Sequence, residues 1–220
     1  MSLQDKLDAV KAEFLLIAPA PIRAIMDAAT NDLLASGQAQ RALKAGNHAP
    51  TFVLPDPDGK LVSSAEMLRD GPLVITFYRG TWCPYCNLDL QGIEEASAEI
   101  RARGARMVAI SGQTSANSRK SQRDNDLSFS ILADQGGRVA DLFGIRWTLP
   151  DTLQEAYKGF GVDLPTFNGE DSWTLPMPAR YVIGQDGLIA YAEVNPDHTL
   201  RPDPSELLPT LDRLKLAVTA

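Results

Sequence analysis

The chain has 220 residues, 44% hydrophobic and 22% charged, with a formal net charge of −7. That length buries a full core without disulfide staples, and two cysteines do not make a secreted disulfide scaffold. The acidic balance and the lack of a basic patch exclude nucleic acid and anionic membrane surfaces as partners, and no apolar run reaches the length of a membrane span.

Asp5, Lys6, Asp8, Lys11 and Glu13 interrupt the first apolar residues, so no signal peptide is read there and a reducing cytoplasm is the expected home. Leu3, Leu7, Val10, Phe14 and Ile17 form one helical stripe. Pro19 and Pro21 end that helix and start a second, with Ile22, Ile25, Met26, Ala29 and Leu33 as its face and Gly37 as its stop. A short helical piece is predicted through Arg41 to Lys44, closing at Gly46. Residues 1–45 therefore read as an N-terminal helical arm, either packed on the main domain or forming a homodimer contact. From Asn47 an extended segment leads to a turn at Asp58-Gly59, and Ser63 or Ser64 caps a short helix.

Leu73 to Tyr78 reads as a buried strand and Asn87 to Arg103 as an amphipathic helix ended by Gly104. Arg106–Ser111 is a second buried strand. A polar helix over 115–126, a short strand near Ser128–Asp134, a Gly136-Gly137 turn and a helix from Val139 to Phe143 follow. Residues 147–177 read as a long connection carrying Trp147, Tyr157, Phe160, Phe167 and Trp173; these aromatics are the candidates to cover a site, with core burial the expected role for most of them. Arg180–Ile183 and Leu188–Val194 make a hairpin around Gln185-Asp186-Gly187. A last helix spans Pro204 to Val218, capped by Ser205, with Leu207, Leu208, Leu211, Leu214 and Leu216 mostly inward. Parallel crossovers followed by an antiparallel hairpin indicate an α/β protein with a mixed central sheet and helices on both faces.

The only two cysteines, Cys83 and Cys86, stand three apart where the central strand turns into its helix. Residues three apart in a first helical turn share one face, and a helix N-terminus lowers a thiol pKa. One sulfur can attack a substrate and the other can then close an intramolecular disulfide. Pro84 suits the first turn because it has no N–H to leave unsatisfied. Arg79 either adds positive charge near the sulfur or is a plain surface charge at the strand end. Zinc is disfavoured, since one cysteine pair supplies two ligands and His48 and His198 lack second-pair spacing. An iron–sulfur cluster needs more cysteines than the chain has.

Phe77-Tyr78-Arg79-Gly80-Thr81-Trp82-Cys83-Pro84-Tyr85-Cys86 resembles a thioredoxin-fold active site. Gly46 to Asp56 with Gly59, Val108–Ser111, Ile131–Asp134, and Tyr181–Ile183 leading to Asp186-Gly187 resemble peroxiredoxins. The chain is thus similar to the alkyl hydroperoxide reductase/thiol-specific antioxidant superfamily, in its branch with a thioredoxin-style cysteine pair. The resemblance covers roughly residues 46–215 and leaves the arm outside. It implies a thioredoxin-like fold, three layers around a mixed sheet, with the domain at 46–220 and no cofactor or metal.

The resemblance has departures. Peroxiredoxins place a threonine or serine three residues before the peroxidatic cysteine. An ungapped match puts that cysteine on Cys86 and places Cys83 where the hydroxyl belongs. The proline after the aromatic pair is Arg79, and the late-strand arginine falls on Pro178. Thr81, Arg79 and Arg180 are the candidate substitutes. Pro178 instead matches the cis-proline of thioredoxins. The Cys-Pro-Tyr-Cys sequence is that of glutaredoxins and implies a potential on the order of −200 mV.

Three readings follow from the resemblance. In a thiol peroxidase, Cys86 attacks a small hydroperoxide, Cys83 resolves, and thioredoxin, glutaredoxin or glutathione recycles the pair. In a dithiol–disulfide oxidoreductase, Cys83, nearer the helix start and more exposed, attacks and Cys86 resolves. In a redox-sensing interaction protein, the disulfide changes a surface. Peroxidase is the leading expectation. Trp82 and Tyr85 are expected to flank the sulfurs, Tyr85 chiefly by packing the turn.

Overall fold

The N-terminal stripe forms α1 (Leu3–Ile17) in the computed structural model, which describes residues 2–219. Ser2 and Asp5 make a reciprocal capping box at its start. Leu3 and Leu7 are buried, but the last turn departs from the expected stripe at Ile17, which is exposed although the next residue, Ala18, is buried. Helix α2 (Ala20–Ala35) has a proline in its first turn and buries Ala29 and Leu33. Gly37, at φ +68°, ends it as expected. The next turn, α3 (Gln38–Arg41), starts earlier than the sequence suggested, because Ser36 Oγ accepts the Gln38 N–H at 3.1 Å and restarts the helix at once.

The extended segment is a hairpin of β1 (Val53–Pro55) and β2 (Leu61–Ser63), its turn closed by Asp56, whose Oδ1 accepts from the Asp58 and Lys60 N–H groups. Ser63 caps α4 (Ser64–Asp70). Then come β3 (Leu73–Phe77), α5 (Pro84–Glu95) and α6 (Ser97–Ala102). The single helix expected here is broken at Ala96, where the Ser97 hydroxyl turns back onto the Glu94 carboxylate at 3.1 Å. The chain continues with β4 (Arg106–Ser111), α7 (Ser115–Asp124), β5 (Ser130–Ala133), a 3-10 turn at Gln135–Gly137, and α8 (Arg138–Leu142).

The expected loop over 147–177 is structured. It holds β6 (Arg146–Thr148), α9 (Asp151–Gly159), α10 (Leu164–Asn168) and β7 (Thr174–Pro176), with β6 and β7 paired antiparallel. Leu149, Leu153, Tyr157, Leu164 and Leu175 form its own buried cluster, shared with Ala29 of α2. Strands β8 (Ala179–Ile183) and β9 (Ile189–Val194) make the hairpin. A 3-10 turn at Pro204–Leu207 leads into α11 (Leu208–Thr219). Its cap is Asp203, not Ser205: the Asp203 carboxylate accepts from the Ser205 N–H and hydroxyl, while Glu206 accepts from the Asp203 N–H. Leu207 and Leu211 point inward, and Leu216 is exposed.

The central sheet runs β5-β4-β3-β8-β9, with β3, β4 and β5 parallel, β8 antiparallel to β3, and β9 antiparallel to β8. All five residues of β3 are buried, and their alternation divides the core. Leu73, Ile75 and Phe77 face a cluster with Phe143 and Tyr181. Val74 and Tyr78 face a second cluster with Leu90, Leu3, Leu7 and both cysteines. The arm thus contributes to the core that carries the cysteine pair. Leu7 is fully buried, so Leu7→Ala is expected to lower unfolding stability by about 2–5 kcal/mol in chemical denaturation. An effect within about 0.5 kcal/mol would show that α1 frays independently of the core.

Candidate active site

Strand β3 ends at Phe77, and the chain turns through Arg79-Gly80-Thr81-Trp82 before Cys83 caps α5. Gly80 is required there: a Cβ on it would lie 2.3 Å from Trp82 Nε1. Buried Gln113 pins the turn, accepting the Thr81 N–H at 2.8 Å and donating to the Tyr78 hydroxyl at 2.9 Å. Asn87 Nδ2 donates to the Thr81 carbonyl at 3.0 Å. Cys83 is the N-cap residue, and Cys86 is the third residue of the helix, so both sulfurs meet its positive end.

The two thiols are unpaired, and Cys83 hydrogen-bonds to Cys86. The Arg79 backbone N–H and Arg201 Nη2 each donate to Cys86 Sγ at 3.5 Å. Arg79 Nη1 donates to Cys83 Sγ at 3.9 Å, and its Nη2 donates to the Tyr157 hydroxyl. The guanidinium also lies 4.9 Å from the centre of the Trp82 ring. Arg79 is therefore a buried active-site cation, not a surface charge.

Burial opposes ionisation of Cys86, but the Cys83 thiol, the Arg201 and Arg79 guanidiniums and the Arg79 N–H together bring it down to about 6. Burial and the bond shared with Cys86 push the Cys83 thiol well above its usual value. Within the pair, the thiolate is thus favoured at Cys86 and the proton at Cys83. Burial raises Tyr78 to about 12 and also raises Tyr157, so both phenols stay protonated. Burial, with Arg79, Arg201 and Lys11 nearby, keeps His198 neutral by holding its pKa well below the ordinary histidine value.

Both sulfurs are buried, contrary to the greater exposure expected of Cys83, because the arm and α9 close over the turn. A cavity of about 230 Å³ still reaches Cys83, between Phe14 and Met26 of the arm, Trp82 and Tyr85 of the turn, and Tyr157 of α9 with Phe160 just after it. Cys86 is not among its lining residues. A second cavity of about 280 Å³ shares Phe14, Met26, Tyr85 and His198 with it and extends outward past Lys11 and Arg23.

The structure brings Cys83, Cys86, Arg79, Trp82 and Tyr85 together. Pro84 is the exposed residue of the first turn of α5. Thr81 contributes its backbone N–H to Gln113, with no hydroxyl contact to either sulfur. Arg180 donates to Asp89, so the guanidinium that reaches Cys86 from beyond the sheet belongs to Arg201. Pro178 lies beside Arg79 and His198, and the peptide bond before it is trans, contrary to the expected cis form. The Met177 N–H donating to the Ile145 carbonyl and the Pro178 carbonyl accepting from Asn195 N–H hold it in extended chain leading into β8. Trp173 packs with Lys158, 5.2 Å from its ring centre, and the aromatics that line the cavity from this region are Tyr157 and Phe160.

Sequence reasoning missed Arg201, Asp89, Gln113 and, as a site residue, His198; Tyr157 was named only among the aromatics that could cover the site. Asp89 had one usable signal: an acidic residue three positions after Cys86 on the inward face of an amphipathic helix.

The model of the AhpC/TSA family matches residues 45–192. The chain is 26% identical over 174 residues to chloroplastic peroxiredoxin Q of Oryza sativa subsp. japonica, covering 79% of this chain and 68% of that one. It is 32% identical over 117 residues to the thiol-disulfide oxidoreductase ResA of Halalkalibacterium halodurans, covering 52% and 65%. Among solved structures, the peroxidoxin BcpB of Mycobacterium tuberculosis superposes with a TM-score of 0.61 at 20% identity, covering 79% of this chain and 97% of that one.

Proposed function

This chain belongs to the AhpC/TSA family, and we propose that it is a thiol-dependent peroxidase in which Cys86 attacks a hydroperoxide and Cys83 resolves the product. The similarity to peroxiredoxin Q supports the reaction class. The observation that carries the assignment of roles is the pair of N–H donors, from Arg79 and Arg201, on Cys86 Sγ beside a protonated Cys83. The Cys86 thiolate attacks the terminal peroxide oxygen. An S–O bond forms, the O–O bond breaks, and the alkoxide leaves as the alcohol with a proton from water. Arg79 and Arg201 face the charge developing on the departing oxygen. Cys83 then attacks the sulfenic acid at Cys86, forming the disulfide and releasing water. Two external thiols return the pair to its reduced state. The first attacks Cys83, the sulfur on the cavity wall, and Cys86 leaves as the more acidic thiol.

The second reading, a dithiol–disulfide oxidoreductase, draws on that same cavity-facing position of Cys83 and on the similarity to ResA. Peroxide consumption fed by dithiothreitol separates the two. We expect consumption far above that of a free thiol; its absence, together with reduction of a glutathione mixed disulfide, would transfer the assignment to the second reading.

The apolar walls around Cys83 suit a hydroperoxide with an apolar body, and Phe14 of the arm is one of them. Phe14→Ala is expected to lower kcat/KM for cumene hydroperoxide about tenfold while leaving hydrogen peroxide nearly unaffected. Equal losses on both would show that Phe14 supports the fold and not the choice of substrate.

Among the described residues no helix is long and apolar enough to cross a membrane. A reducing cytoplasm suits a pair that must be re-reduced after each turnover, with thioredoxin, glutaredoxin or glutathione as the thiol source. Residues 1–45 act as an extension that walls the cavity, and their exposed residues Leu16 and Ile17 are the place to test for a homodimer contact.

A further inference from the structure

Arg201 reaches Cys86 from outside the sheet framework. It lies on the segment 195–203 that follows β9, beyond the residues matched by the family model. Its Nη1 donates to the carbonyls of His198 at 2.8 Å and Leu200 at 2.7 Å. Helix α1 braces the segment: Gln4 Oε1 accepts the Arg201 N–H at 3.5 Å, and Lys11 Nζ donates to Thr199 Oγ1 at 3.2 Å.

Three buried charges converge behind the sulfur. Arg180 Nη2 donates to Asp89 Oδ1, and Arg201 Nε lies 3.3 Å from Asp89 Oδ2, with side-chain exposures of 2% for Arg180, 4% for Arg201 and 3% for Asp89. Arg180 Nη1 also donates to the Pro202 carbonyl at 3.1 Å, tying the same segment to β8. Asp89 stands three residues after Cys86 on one face of α5. A carboxylate there disfavours a neighbouring thiolate by Coulomb repulsion. Its presence makes chemical sense through what it holds.

We propose that Asp89 is a positioning residue that holds the Arg201 guanidinium on Cys86 Sγ, with Arg180 anchoring Asp89 from the opposite side. The inference rests on the reading of Cys86 as the attacking thiolate. The charged and titratable groups around Cys86 are Cys83, Arg79, Arg201, Tyr78 and Tyr157, with Asp89, Arg180 and His198 behind them. Direct repulsion and positioning make opposite predictions when Asp89 loses its charge. If Asp89 acts directly, the thiolate becomes easier to form. If it acts through Arg201, the thiolate becomes harder to form although a negative charge has been removed.

The test is the pH midpoint of alkylation by iodoacetamide in the Cys83→Ser background, where Cys86 is the sole thiol. Asp89→Asn is expected to raise the midpoint by about one unit, Arg201→Met by at least as much, and the double variant no further than Arg201→Met. A midpoint lowered or unmoved by Asp89→Asn, or raised equally once Arg201 is gone, would overturn the proposal. Should Asp89→Asn fail to fold, Asp89→Glu decides: the charge stays while the carboxylate moves by one methylene, so a raised midpoint supports positioning and an unchanged one overturns it. A parent midpoint in the ordinary thiol range would overturn the Cys86 reading itself, and the positioning role with it.

Discussion

Cys86→Ser is expected to lose hydroperoxide turnover by about a thousandfold or more at pH 7, because the attacking sulfur is gone and burial still disfavours ionisation of the one that remains. Cys83→Ser should behave differently. Its Cys86 still meets the Arg79 N–H and the Arg201 guanidinium, so the first oxidation survives, and the protein stalls as a sulfenic acid with no resolving partner. Rapid mixing with one equivalent of peroxide reads the first step, and turnover with excess dithiothreitol reads the cycle. If Cys86→Ser keeps the fast oxidation and Cys83→Ser loses it, the roles are reversed and the oxidoreductase geometry, with Cys83 leading, is correct.

The second large effect is expected at Arg79. Arg79→Met removes a buried guanidinium shared by Cys83, Tyr157 and Trp82, while leaving the backbone N–H to Cys86 in place. We expect kcat/KM to fall about a hundredfold at pH 7. The pH dependence fixes the cause. Wild-type Cys86 is held down to about 6, so reactivity is full above that pH and fades as pH falls through it. Without Arg79 the midpoint rises by about one unit, so lost thiolate adds about twofold at pH 7, about tenfold below pH 5 and nothing at alkaline pH; the rest of the loss is the missing guanidinium charge facing the departing oxygen. A loss equal at all pH values would mean that Arg79 does not act on the thiolate. Because Arg79→Met orphans the buried Tyr157 hydroxyl at about 1–3 kcal/mol, Arg79→Met with Tyr157→Phe is the matched control: it should restore stability without restoring the rate.

Much of the fold was legible because its signals are local. The period of α1, the all-apolar β3, the Asp58-Gly59 turn and the Gln185-Asp186-Gly187 hairpin each declare themselves within a few residues. The segment 147–177 was not legible, since its apolar residues are spread over short helices and a two-stranded pair whose partners are about 30 positions apart. At the site, Cys83, Cys86, Arg79 and Trp82 stood out because strand, turn and helix start are contiguous. Arg201 was invisible for a physical reason. It contacts Cys86 across 115 residues, from a segment with no periodicity and no motif. Pro178 stands where the resemblance places an arginine, and only the fold shows that a guanidinium from another segment, Arg201, takes up a place at Cys86.

The central claim, that Cys86 is the attacking sulfur, is tested most directly by trapping. Each single-cysteine protein is mixed with one equivalent of cumene hydroperoxide in the presence of dimedone, and the adduct is located by peptide mass spectrometry. The prediction is rapid, stoichiometric dimedone labelling of Cys86 in Cys83→Ser and only slow labelling of Cys83 in Cys86→Ser. Fast labelling of Cys83, with Cys86 inert, would contradict the account.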